Sequence, residues 1–152
     1  MSEKEIESIL RDFGEAFMKR DVKKTLSFFA EDAVLAGPEG TFKGKHEIEH
    51  YWTWDAQYSP TMTARDSGIG IMVKGNRAVS EHVLQGYFEG KKYETPGMNV
   101  YEFSDGKIQH MRSYYDRLSA IKQVATQYGG IKGWFMKKLA NYIVGRSEKG
   151  LH

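Results

Sequence analysis

The chain's 152 residues suit a single domain, which at that size buries roughly 70% of the surface its unfolded form exposes, so a second core is not expected. Lys and Arg total 22 against 20 Asp and Glu, a formal charge of +2 that gives no electrostatic case for nucleic acid as a partner. The lack of cysteine excludes disulfides, thiolate nucleophiles and Cys-ligated metal, while 40% apolar and 13% aromatic residues exclude a disordered chain and can line a cavity as well as a core.

Residues 3 to 19 set Ile6, Ile9, Leu10, Phe13, Phe17 and Met18 at helical spacing among charges, with Ser2 placed to cap the helix. Asp21 is suited to cap a second, shorter helix whose apolar set is Val22, Leu26, Phe28 and Phe29. Ala33-Val34-Leu35-Ala36 reads as a strand leaving into the turn Gly37-Pro38-Glu39-Gly40, and Thr41 to Gly44 as a second short strand. A third helix is expected from Lys45 to about Gln57, carrying Ile48, Tyr51, Trp52 and Trp54 or Asp55, with Pro60 ending it.

Four long strands are predicted next, at about 61 to 73, 77 to 89, 93 to 103 and 107 to 115. The turns Lys74-Gly75-Asn76, Gly90-Lys91 and Ser104-Asp105-Gly106 between them imply an antiparallel meander. A helix over about 117 to 128 and a break at Gly129-Gly130 follow. Beyond the break Ile131, Trp134, Phe135, Leu139, Tyr142 and Ile143 make an apolar stripe among Lys132, Lys137, Lys138 and Arg146. That stripe is expected to pack on its own domain or on a partner subunit, with a membrane surface as the alternative. The charged start, Met1 to Arg11, lacks the apolar stretch of a signal peptide, and no run reaches the ~18 apolar residues of a membrane span, so the cytoplasm is the expected compartment. The predicted whole is α+β, with helices packed on one face of a bent antiparallel sheet.

Three segments carry a resemblance: Asp12 to Leu35, through Phe28-Phe29-Ala30-Glu31-Asp32-Ala33-Val34; Thr41 to Lys45 with the following helix; and Val100 to Ile108, ending in Tyr114-Tyr115-Asp116. In order and spacing, over about residues 6 to 118, they resemble the SnoaL-like and ketosteroid isomerase-like (nuclear transport factor two-like) superfamily. The resemblance implies a cone-shaped curved sheet whose N-terminal helices enclose a pocket over residues 1–118, with 119–152 as a helical extension of the same domain. It implies frequent homodimers, and members that include isomerases, polyketide cyclases, epoxide hydrolases, dehydratases and noncatalytic binders, so fold alone does not assign a reaction.

Ketosteroid isomerisation needs a carboxylate base, a tyrosine and a protonated aspartic acid. The resemblance places Phe13, Gly37 and Asn99 at those three positions, respectively at the tyrosine, the base and the acid, which argues against that mechanism here. Strand alternation groups Ser80, His82, Leu84 and Gly86 on one face, then Gly97, Asn99 and Tyr101, then Gln109, Met111, Ser113 and Tyr115. By resemblance these faces are concave, with Phe13, Phe17, Tyr51 and Trp54 closing the pocket from the helices. Such a lining suits a small apolar or aromatic ligand held by a few hydrogen bonds.

His82 is the first candidate acid or base, because imidazole titrates near neutrality, and the alternative is a structural histidine. Asn99 and Tyr101 are polar points beside it, and Asp116 reads either as a catalytic carboxylate or as a cap for the next helix. Glu81, His110 and Arg112 alternate onto the outer face. His46 and His50 stand at i, i+4 without a metalloprotease glutamate, and no glycine-rich phosphate loop follows a strand, so neither metal nor cofactor is expected. Two functions stand: a cofactor-free isomerase, cyclase or lyase using His82, or a noncatalytic ligand-binding or protein-interaction module.

Overall fold

The computed structural model describes residues 1–148, apart from the side chains of Tyr58, Ala140, Asn141 and 143–148. Helix α1 (Glu3–Met18) starts at a capping box in which Ser2 Oγ accepts from the Glu5 N–H and the Glu5 carboxylate accepts from the Ser2 N–H. Its stripe buries Ile6, Leu10, Phe13 and Ala16, while Met18 at the end of the same stripe stays exposed. Asp21 caps α2 (Val22–Ser27) by accepting from the Lys24 N–H at 2.9 Å.

Strands β1 (Phe29–Gly37) and β2 (Gly40–Lys43) form a hairpin, and α3 (Gly44–Tyr58) packs back on β1. The meander β3 (Thr63–Lys74), β4 (Arg77–Phe88), β5 (Lys91–Ser104) and β6 (Lys107–Tyr115) is antiparallel throughout. The six strands form one curved, unclosed sheet in the order β2-β1-β6-β5-β4-β3, so this is an α+β fold with helices at both ends of the chain. The β1–β6 join is parallel, a pairing of distant segments that the antiparallel reading did not include.

Three register shifts interrupt the sheet, one of them in the β1–β6 pairing between Phe29 and Val34. In β3 the register steps from Asp66 opposite His82 to Ile71 opposite Ser80, which leaves residues 67–70 against Glu81 alone. Gly68 sits there at φ +53°, and the Glu81 carboxylate fills the space its Cβ would take, accepting from the Ile69 N–H at 3.1 Å. In β6 the extra residue is Gln109, between Ile108 opposite Phe103 and His110 opposite Glu102. Gln109 therefore leaves the concave row expected of it and donates to Asp32 instead, at 3.1 Å.

The main core lies between α1, α3 and the concave sheet face, where Phe13 meets Phe28, Phe29, Trp52 and Tyr101 edge-on at centroid distances of 5.8–6.4 Å. Helix α4 (Arg117–Thr126) docks on β5, where Gln123 accepts from the Glu94 N–H at 3.0 Å and donates to its carbonyl at 2.7 Å. Helix α5 (Gly130–Glu148) packs against α4. Its stripe is not covered by the domain: Ile131, Trp134, Phe135 and Leu139 are all exposed, Trp134 by 62%. Ile143 and Arg146 of that stripe lie outside the described side chains. No helix among the described residues is long and apolar enough to cross a membrane.

Candidate functional site

Between α1, α3 and the concave face lies a cavity of about 350 Å³, near the lower end of the roughly 300–1,000 Å³ typical of ligand pockets. Its wall includes His82, Asn99, Tyr101, Ser80, Leu84, Met111, Ser113 and Tyr115 from the sheet, and Phe13, Phe17 and Tyr51 from the helices. The sheet residues are ones that alternation groups, brought together because β4, β5 and β6 keep a straight register across this region, and the helix residues are ones that the resemblance implies. Two expected members are elsewhere. Trp54 is 44% exposed, stacked against Tyr51, because two helical positions from the inward Trp52 is more than half a turn away. Asp116 is exposed and caps α4, accepting from the Ser119 N–H at 2.8 Å, which is the structural of its two readings. His46 and His50 are exposed on α3.

His82 is 8% exposed and stands directly across β4 and β5 from Gly97. A Cβ at Gly97 would come within 2.9 Å of His82 Nε2, so the missing side chain makes room for the imidazole. Burial pushes the His82 pKa below its ordinary value, opposed by its bond to the Ser80 backbone and by the charge of Asp66. The ring is thus neutral at pH 7 and can accept a proton. On the next row Asn99 Nδ2 donates to Tyr101 Oη at 3.0 Å, and that hydroxyl lies 3.4 Å from Ser80 Oγ. Tyr101 is buried, which raises its pKa and keeps the phenol protonated. Asn99 Oδ1 is buried without a hydrogen-bond partner, an unspent acceptor on a residue of the wall.

A second polar cluster occupies another part of the wall, and sequence reasoning missed its organising residues. Glu39, in the β1–β2 turn, accepts from Tyr115 Oη through one carboxylate oxygen and from Tyr51 Oη at 3.4 Å through the other. Its carboxylate comes within 3.6 Å of where a Gly37 Cβ would stand, and Arg117 lies 3.9 Å away. Burial is the first cause of the raised pKa of both tyrosines, reinforced by the nearby Glu39 charge, so both remain protonated. Beside them Asp55 pairs with Arg20 at 2.8 Å. Burial pushes the Asp55 carboxyl up and the Arg20 charge holds it down. Arg20 holds a left-handed φ of 57° just past α1, with its guanidinium also donating to the Ser59 carbonyl and lying 4.9 Å over the Phe17 ring.

The convex face carries the charges placed there by alternation. Arg112 pairs with Glu102 across β5 and β6 at 2.7 Å.

The SnoaL-like domain family model matches residues 10–111, well over half of the chain, and the protein belongs to that family. The fold is similar to that of a candidate polyketide cyclase from Xanthomonas campestris pv. campestris, at 23% identity and a TM-score of 0.74 over 80% of this chain and 98% of that one. It is also similar to a nuclear transport factor two-like protein of unknown function from Burkholderia pseudomallei K96243, at 20% identity and a TM-score of 0.72 over 82% and 98%. A ketosteroid isomerase-like protein from Catenulispora acidiphila, solved with trimethylamine, aligns at 16% identity and a TM-score of 0.70 over 80% and 97%. No curated protein matches the chain. At these identities the solved structures establish the fold.

Proposed function

We propose that this cavity binds a small, partly apolar organic molecule and that His82 serves as the acid or base of a cofactor-free isomerisation, cyclisation or lyase reaction. The observation that carries the reading is a neutral imidazole on the cavity wall, leaning over the bare backbone of Gly97. Asn99 would stand at the wall beside the bound molecule, and Phe13, Phe17, Leu84 and Met111 would hold the molecule's apolar body. Tyr101 would act by fixing Asn99. A homodimer through the convex face is part of the same reading: Met98 and Tyr114, paired across β5 and β6, are 39% and 52% exposed.

Exchange of the α-protons of 6-hydroxy-2-tetralone into deuterated water, followed by NMR, tests the base. His82→Ala should slow protein-catalysed exchange by roughly a hundredfold, the lower end of general-base contributions. The depressed pKa fixes the sign of the pH dependence: the rate should be level at pH 7 and fall only as pH drops through a value below 6.5. Equal rates in wild type and variant would remove His82 from the chemistry. A noncatalytic module is the second reading, favoured by Phe13 and Gly37, which put no titratable group where the resemblance sets the tyrosine and the base. Binding of the tetralone without any exchange would select it.

A further inference from the structure

The register puts three residues in one row across the cavity floor: His82 on β4, Gly97 on β5 and Tyr115 on β6. Neighbouring strands lie about 4.8 Å apart, so the outer two Cα atoms are about 10 Å apart, and the His82 ring lies over Gly97 between them. The row therefore presents to the cavity an imidazole folded over Gly97 at one wall and a phenol at the other. The phenol has a defined polarity. Tyr115 and Tyr51 spend their protons on Glu39, which leaves their oxygens as acceptors, and a carboxylate stands behind both. At the opposite wall burial keeps the imidazole neutral.

We infer that the Tyr115–Glu39–Tyr51 cluster is a recognition site for an uncharged hydroxyl group, and that the complementary ligand is a compact, hydroxyl-bearing ring compound held in the cavity that Tyr51 and Tyr115 line. This rests on the proposed ligand-binding role of the cavity and names its substrate class. An anionic group is disfavoured because the Glu39 carboxylate would repel it with little intervening water. An ammonium group gains little, because Asp55 is already paired with Arg20 and Glu39 has Arg117 within 3.9 Å. A hydroxyl both donates to a tyrosine oxygen and retains lone pairs of its own, so it leaves no polar group stranded. Tyr115 would touch the ligand, and Glu39 would be a positioning residue that sets which way the phenol protons point.

Calorimetric titration of the full chain with 2-naphthol, 2-methoxynaphthalene, 2-naphthoate and 2-(aminomethyl)naphthalene separates the possibilities. The naphthol should bind roughly three- to tenfold more tightly than its methyl ether, the worth of one net hydrogen bond, and the charged compounds should bind more weakly than the naphthol. Tyr115→Phe should abolish the preference for naphthol over ether while leaving ether affinity unchanged. Glu39→Gln, which keeps the shape and removes the charge, should relieve the exclusion of naphthoate. A preference that survives in Tyr115→Phe, or naphthoate or amine binding as tightly as naphthol to wild type, would overturn the assignment. Equal binding of naphthol and ether would do so too, yet leave the cavity as a ligand site. If none of the four binds, the reading of the cavity falls with it.

Discussion

Helices α1 and α5 are written in the same idiom, apolar residues at helical spacing among charges, and they end up in opposite environments. The α1 stripe is roofed by the sheet, and Phe13 alone meets four aromatic rings. On α5, Ile131, Trp134, Phe135 and Leu139 are exposed, although the helix is held at its start, where Lys132 and Tyr128 both bond Glu89 of the β4–β5 turn. Periodicity states that a helix has an apolar face, and only the tertiary arrangement supplies something to cover it. Of the two expected covers for the α5 stripe, its own domain or a partner subunit, the first is not met at Ile131, Trp134, Phe135 and Leu139, which stay exposed.

Substitutions at matched positions put a scale on this contrast. Phe13→Ala should lower the free energy of unfolding by about 3–5 kcal/mol in urea titrations, the range for deleting a fully packed aromatic ring. A value near zero would mean that α1 does not hold the core together. Ser2→Ala removes half of the capping box, and an α1 that folds with the domain should register a loss of about 1 kcal/mol. Trp134→Ala should change stability by no more than about 0.5 kcal/mol, as surface substitutions do. A loss well beyond that, or one that depends on protein concentration, would show the α5 stripe buried against another molecule.

The fold was largely legible because its signals are local. Ser2 and Asp21 are short acceptors at the point where N–H groups are free, and glycine turns punctuate long β-branched runs, so the helix starts and the meander could be placed. The concave rows were legible because side chains alternate with a fixed period of two. The remainder depends on distant parts of the chain. Glu39 lies in a turn, where a charge is unremarkable, and only folding brings Tyr115, 76 residues later, onto it. The Arg20–Asp55 pair spans 35 residues, and nothing at position 20 distinguishes this arginine from a solvated one. Trp52 and Trp54 differ by rotational phase, which the docking of α3 decides. The parallel β1–β6 join links strands separated by the whole meander.

The surplus residue in β6 has a consequence of its own. Because Gln109 has no partner on β5, β6 changes parity part-way along: Ile108 serves the core, and Met111, Ser113 and Tyr115 then serve the cavity. Losing Gln109 would restore one-to-one pairing of β6 with β5, leave Met111, Ser113 and Tyr115 facing the cavity, and cost the sheet its bond to Asp32. One unpaired amino acid thus lets Ile108 and Met111, three apart in the chain, face the same side as Phe103 and Tyr101, two apart on the partner strand.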